Sequence, residues 1–310
     1  MSVPVRASVV IPSYQSAGTI RACLRGVLSQ HIDGSFEAIV VDSGSDGAAE
    51  IVRREFPTVR LLTSNGRIGA APARNRGARE AHGAVLAFLD SDCVPGASWL
   101  ASLIVPIERD ECDGLGGSIR PVEGSNATAW AGYFCEFREF LPGSRAPVEA
   151  RHLTPGNAAY RTSTFQAAGG FPDGFFPLED QAFYEQLRKV GARIRFDPAI
   201  VVGHAHRDQV SAFVAHQARI GEANARVARA LGIKGSAIAA RPWLATLLLP
   251  FLATYRFCRT VAACWKEERH LMIRRPLVPI LCWVGMFGWG AGFAGFWRSE
   301  YGDGDPGHRA

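Results

Sequence analysis

Four short runs rich in Val, Ile and Leu recur through the first ninety residues, and segments with helical spacing separate them. The runs are residues 6–12 (RASVVIP), Phe36–Val41, 58–63 and Ala84–Leu89. Between them, Ile20, Leu24, Val27 and Leu28 mark a helix within 17–30, and further helices are expected around 48–56 and 71–82. Strands that are apolar on nearly every residue are buried on both faces. This pattern predicts an α/β fold with a mixed, mostly parallel sheet sandwiched by helices. In such sheets ligands bind beyond the carboxyl ends of the strands. Two of the runs end there on aspartate, Asp42 and Asp90.

The remaining chain is less regular. Residues 113–165 read as mixed strands and loops, 178–190 as a helix after Gly174-Phe-Phe-Pro177, and 193–203 as two short strands joined at Asp197-Pro198. A helix is expected from about 210 to 231. From Arg241 the character changes. Residues 243–255 form an apolar run of 13 interrupted by Pro250, and 276–297 an uncharged run of 22. As a helix the second run would be about 33 Å long, enough to cross a hydrocarbon core of about 30 Å, whereas the first is short for a span. Arg256, Arg259, Lys266, Arg269, Arg274 and Arg275 lie between the runs, and Glu300, Asp303 and Asp305 follow them.

The positive-inside rule then puts the basic linker in the cytoplasm. The expected division is a catalytic domain over 1–235 and a membrane-associated helical region over 236–310. Within it, 243–264 would lie in the interface and 276–297 would cross. No leader precedes the first strand, so the catalytic domain is expected on the cytoplasmic side of a cell inner membrane. A buried helical hairpin and a pair of surface-bound amphipathic helices are the alternatives.

With 47% apolar and 20% charged residues over 310 positions, the chain can bury a full core. The net charge of +5 comes from scattered Lys and Arg, without the basic stripe and interleaved aromatics of a nucleic-acid surface. Seven widely spaced cysteines with no CxxC pair argue against a disulfide framework or a zinc site, and for a reducing compartment.

Several polar residues sit where chemistry is expected. Asp90-Ser91-Asp92 ends a strand, where two carboxylates can hold a hard cation such as Mg²⁺ or Mn²⁺; an acidic turn before Trp99 would look the same. Asp42 can accept from a nucleotide base or form an Asx turn, and Asp46 fits the turn better. Arg74, with Asn75 and Gly77, can clamp phosphate or orient carboxylates, or belong to a solvated face with Arg76 and Arg79. Glu179-Asp180 can cap a helix or supply a general base. His204 and His206 alternate after the 200–202 strand, so both are expected to reach one pocket.

The order of these features is more specific than any one of them. Val9-Val10-Ile11-Pro12-Ser13-Tyr14, VVDSGSDG, GAAPARNRGAREAHG, Ala87-Phe88-Leu89-Asp90-Ser91-Asp92, Gly156-Asn157-Ala158-Ala159-Tyr160-Arg161, Gly169-Gly170-Phe171 and Leu178-Glu179-Asp180 follow one another. This series resembles the family 2 glycosyltransferases of GT-A fold over about residues 6–225. The resemblance implies a nucleotide-diphospho-sugar donor, a divalent metal and inversion at the anomeric carbon, and the membrane segment suggests a lipid-linked or saccharide acceptor. By position it implies that Pro12, Tyr14 and Asp42 line the base pocket, with Arg74 and Asp90 beside the donor. It further implies that Asp90, Asp92 and His204 surround the metal, and that Asp180, within the pair Glu179-Asp180, is the base. Gln15 stands where Asn is common, the loop after Asp42 is one residue short, and Gln186 replaces a common Arg. Gln217-Ala218-Arg219-Ile220-Gly221 lacks the signature of processive synthases, so addition of one or a few sugars is expected.

Gly290-Ala291-Gly292-Phe293-Ala294-Gly295 matches GxGxxG, but inside an apolar run rather than between a strand and a helix, so it is not a dinucleotide motif. Gly288 and Gly292 suit close helix packing instead. A sugar-nucleotide nucleotidyltransferase would want a glycine-rich basic loop after the first strand, which Ile11–Ser16 does not provide. A catalytically inactive membrane scaffold is the remaining alternative.

Overall fold

The computed structural model describes residues 4–143, 146–150, 152–175, 178–232 and 234–301. In chain order the elements are β1 (Val5–Ser13), α1 (Ile20–Leu28), β2 (Ser35–Asp42), α2 (Ala48–Glu55), β3 (Arg60–Thr63), α3 (Ala70–Arg79), β4 (Val85–Leu89), β5 (Cys93–Pro95), α4 (Trp99–Glu108) and β6 (Gly114–Pro121). They continue with α5 (Ala127–Phe137), β7 (Val148–Glu149), β8 (Asn157–Arg161), α6 (Thr162–Ala167), α7 (Glu179–Lys189), β9 (Ile194–His204), α8 (Val210–Leu231), α9 (Ser236–Ala239), α10 (Pro242–Arg274) and α11 (Leu277–Tyr301). Two compact units form. One comprises Met1–Gly124 with Phe140–Ala205, the other Ser125–Glu139 with His206–Ala310.

The first unit is the expected α/β sandwich. Its sheet runs β3-β2-β1-β4-β8-β6-β9-β5, with β7 on β9. The β3-β2-β1-β4 half is parallel, as is the long β6–β9 ladder, whereas β8 and β5 run antiparallel to their neighbours. Val9, Val10 and Ile11 are fully enclosed because helices cover both faces. Helix α1 buries Ile20, Cys23, Leu24 and Val27 along one stripe. Helix α3 lies close on β1 and β2. A β-carbon added at Gly77 would fall 2.4 Å from Val10 Cγ1 and 3.2 Å from Val41 Cγ2.

Two sequence expectations are corrected. Residues 194–204 form one strand, not two. Its register against β6 slips so that Gly117 pairs with Asp197 and Ser118 with Val201. Pro198 has no N–H for the ladder, so the chain bulges there and continues. The bulge is held by its carbonyls: Ser118 Oγ donates to Pro198 O (3.1 Å) and Asn157 Nδ2 to Ile200 O (3.0 Å). The second correction is helix α5 within the region read as strands and loops. Asn126 caps it by accepting from Ala129 N at 3.0 Å, and Thr128 through Cys135 are all buried. A helix enclosed on every side carries no amphipathic period, which hides it in the sequence.

The second unit is helical. Helices α5 and α8 bury their faces against α11. Glycine permits that approach: a β-carbon on Gly221 would lie 1.9 Å from Trp289 O, and one on Gly292 1.9 Å from Ala218 O. Ala225, Ala239, Ala245, Trp289 and Phe293 form the core beside this contact. Helix α10 also departs from expectation. Pro250 removes one backbone donor but does not end the helix, whose backbone leaves helical geometry only at Glu268. Arg256, Arg259 and Lys266 are therefore helical rather than part of a linker.

By length and composition alone, Pro242–Lys266 and Leu277–Gly295 are each long and apolar enough to cross a membrane. Asp303, Asp305 and the pair Phe176-Pro177 lie outside the described residues.

Candidate active site

The site grows from the carboxyl ends of β1, β2 and β4. The in-register pairs Pro12–Val41 and Ser13–Asp42 bring the ends of β1 and β2 together. Asp42 is buried and accepts from Ser13 Oγ at 2.5 Å, and Ser13 in turn meets Ser16 Oγ at 2.6 Å. Tyr14 stands out at 44% exposure with the Arg67 guanidinium 4.6 Å from its ring centroid. Gln15 adopts φ +52, and an added β-carbon on Gly44 would lie 2.8 Å from its nitrogen, so the two loops touch through backbone. Asp46 bonds Ala17 N at 2.7 Å and Ala48 N at 3.3 Å, which is the turn and helix-start role expected of it.

Arg74 is not on a solvated face. It is buried, and it donates from Nη1 to Glu179 Oε1 at 2.6 Å and from Nη2 to Asp90 Oδ1 at 2.5 Å. Burial works against its charge, but the two carboxylates more than offset this and raise its pKa. One guanidinium thus ties the end of β4 to the start of α7. Asn75, next along α3, clamps the backbone of Phe171 by accepting from its N (2.9 Å) and donating to its O (2.7 Å).

Glu179 and Asp180 are neighbours in the first turn of α7 with different surroundings. Glu179 is held by Arg74, and its Oε2 is buried with no hydrogen-bond partner among the described residues. Asp180 Oδ2 lies 3.9 Å from His152 Nε2. Burial pushes the Asp180 carboxyl up to about 6, with His152 pulling it down and Glu179 adding to the rise.

On the far side of the Asp90–Asp92 turn, Asp92 Oδ1 is 3.4 Å from His204 Nε2. Strand pairing sets this approach, since Cys93 on β5 is opposite His204 on β9 and Ala205 N donates to Asp92 O. Ligand atoms of Asp92, Cys93 and His204 all lie within 4.8 Å of one another, a spacing that one ion can bridge. Burial pushes the Cys93 thiol well up, with Asp92 and Asp90 adding to the rise. Carboxylate and imidazole are donors that a divalent cation can take. Asp90 is turned to Arg74 instead of joining this group. His206 belongs to the helical unit, where its ring packs 5.9 Å from Tyr133 and 5.5 Å from Phe137.

Sequence reasoning passed over Cys93, His152 and Asn157. Cys93 directly follows the DSD motif, which was a usable signal. His152 had none. Asn157 is fully buried, accepts from Trp99 Nε1 at 2.8 Å and donates to Ser118 O at 2.8 Å as well as Ile200 O, which fixes the strands behind the site.

The glycosyl transferase family 2 profile matches residues 8–169. Glycosyltransferase AglE of Haloferax volcanii is 29% identical over 206 residues, covering 64% of this chain and 67% of AglE. The Escherichia coli UDP-Glc:α-D-GlcNAc-diphosphoundecaprenol β-1,3-glucosyltransferase WfgD is 36% identical over 97 residues, covering 31% of this chain and 36% of WfgD. The solved mannosyltransferase PcManGT of Pyrobaculum calidifontis, in complex with GDP-Man and Mn²⁺, superposes with a TM-score of 0.64 at 20% identity. That superposition covers 96% of this chain and 91% of PcManGT, and shows a shared fold. With the profile spanning more than half of its residues and the sheet built as that fold requires, this chain belongs to glycosyl transferase family 2.

Proposed function

We propose that the chain transfers a sugar, with inversion, from a nucleotide-diphospho-sugar to an acceptor hydroxyl at the cytoplasmic face of a membrane. The observation that carries this reading is the division of labour among the carboxylates. Glu179 and Asp90 are held by Arg74, whereas among the described residues Asp180 pairs with no arginine and burial pushes its carboxyl up to about 6. A base of that pKa works at neutral pH.

In this reading Asp180 takes the proton from the acceptor hydroxyl as its oxygen attacks the anomeric carbon, and the nucleoside diphosphate leaves from the opposite face. Tyr14, Pro12 and Asp42 receive the base, with Arg67 beside Tyr14. Arg74 keeps Asp90 and Glu179 fixed, so the turn bearing Asp92 and the helix bearing Asp180 keep their spacing. Asp92 and His204 would hold a divalent cation, which supplies charge neutralisation for the leaving diphosphate.

A lipid-linked or saccharide acceptor in envelope polysaccharide or glycolipid synthesis fits the helical unit. Trp243, Leu247, Phe251 and Tyr255 form an exposed i, i+4 stripe on α10. Only 17% of the apolar window of α10 is buried, unlike the core helix of a soluble protein. Arg256 and Arg259 inside that window would each cost about 3 kcal/mol at a bilayer centre, which favours α10 lying in the interface.

The test is calorimetric titration of the detergent-purified chain with a panel of nucleotide sugars, with Mn²⁺ and with EDTA. The expected result is metal-dependent binding of one donor, weakened at least about tenfold in Asp92→Ala, with Asp180→Asn binding donor but not transferring. No binding of any nucleotide by folded protein would leave the inactive-scaffold reading.

A further inference from the structure

In the helical unit, Arg256 makes no ion pair among the described residues. Arg256 stands at the margin of the exposed stripe of α10, between exposed Tyr255 and the buried face that carries Thr260 and Cys264. Its guanidinium lies 4.1 Å from the Trp289 ring centroid. Its Nε is buried, yet among the described residues it has no hydrogen-bond acceptor. Two further buried groups are equally unserved: Thr260 Oγ1, one turn along α10, and Nε1 of the same Trp289. Among the described residues Arg138 and Arg259, of the same sign, act on Arg256, and Cys135 and Glu139 oppose them. Glu139 is itself 3.5 Å from Arg138. Glu136, also on α5, is engaged by Gln217 Nε2 at 2.9 Å and His216 Nε2 at 3.5 Å.

Leaving a guanidinium half-buried among like charges is unfavourable unless an anion completes the site. The position selects which anion. With Trp243, Leu247, Phe251 and Tyr255 among acyl chains, the next groups around the helix, Arg256 and Arg259, stand at headgroup level. A guanidinium binds phosphate oxygens in a paired, planar geometry, and such basic sites between membrane-associated helices suit lipid phosphates. We propose that Arg256, flanked by Arg138 and Arg259, binds the anionic phosphate of a lipid headgroup. The source is either the diphosphate of a prenyl-linked lipid or the phosphate of a bulk anionic phospholipid. The inference rests on the membrane association argued above.

The test is flotation of the full chain with three vesicle types: phosphatidylcholine alone, and the same doped with phosphatidylglycerol or with polyprenyl diphosphate. Wild type is expected to partition more strongly onto at least one doped vesicle. Arg256→Gln should reduce that gain about tenfold while leaving partitioning onto undoped vesicles unchanged, and Arg256→Lys should keep most of it. Should Arg256→Gln unfold, the double variant Arg138→Gln/Arg259→Gln is expected to show the same selective loss. A gain confined to polyprenyl diphosphate assigns the site to a prenyl-linked lipid, and a gain on both assigns it to anionic headgroups in general. Equal partitioning of wild type onto all three vesicles, or of the variants and wild type onto doped ones, overturns the inference alone. Failure of wild type to bind any vesicle overturns the membrane reading with it, and nucleotide binding reports on the transferase reading independently.

Discussion

Replacing Arg74 by Met removes the one cation between Asp90 and Glu179. Removing a single partner of a buried ion pair costs about 3–5 kcal/mol, because the remaining charge is left enclosed. The side chains of Arg74 and Glu179 are each 5% exposed, so the full penalty applies to that pair; Asp90, at 32%, recovers part of its hydration. The lower end, about 3 kcal/mol, is therefore the expected loss. The two units need not unfold together, so a global melt would mix them. Hydrogen exchange read by mass spectrometry on peptides from β4 and α7 isolates the effect. A loss of about 3 kcal/mol corresponds to exchange about 10² faster in amides that open with this region. Adding Glu179→Leu removes the stranded charge and should restore most of the protection, since an apolar pair of similar volume is often as stable as the ion pair. Acceleration below about threefold in Arg74→Met, or a double variant that exchanges as fast as the single one, would refute the claim that Arg74 acts by neutralising Glu179.

Two further outcomes are expected. The rate of transfer should rise with pH through a midpoint near 6, since Asp180 must lose its proton to act as base. His152→Ala should move that midpoint upward by removing the group that pulls Asp180 down; a midpoint that stays in place or falls would separate His152 from the base. Asn157→Ala should destabilise the sheet unit by about 3 kcal/mol, because it strands Trp99 Nε1 and the carbonyls of Ser118 and Ile200 in the core. Exchange in β6 and β9 is the readout, and protection equal to wild type would show that those groups find other partners.

Much of the sheet unit was legible because its signals are local. The runs that became β1, β2 and β4 are apolar on most residues, and α1 shows its buried stripe at a 3.6-residue period. Asp42 and Asp90 could be placed at strand ends from chain order alone. Features that depend on distant partners were not legible. Arg74 reads as one arginine among three on α3, and only the approach of α7, 105 residues away, makes it a buried bridge. Glu179 and Asp180 are adjacent carboxylates in the sequence; the partner each faces, Arg74 or His152, separates the held group from the ionisable one. Cys93 and His204 meet only because β5 pairs with β9. The same holds for the helices of the second unit. Composition marks α10 and α11 as apolar, but α5 stayed hidden because burial on all sides erases periodicity. The glycines at 221 and 292 acquired their role only when α8 and α11 came into contact. Propensity and hydrophobic period are properties of neighbours along the chain, and so the sequence carries them; charge pairing, desolvation and close backbone approach are properties of neighbours in space, which the tertiary structure alone supplies.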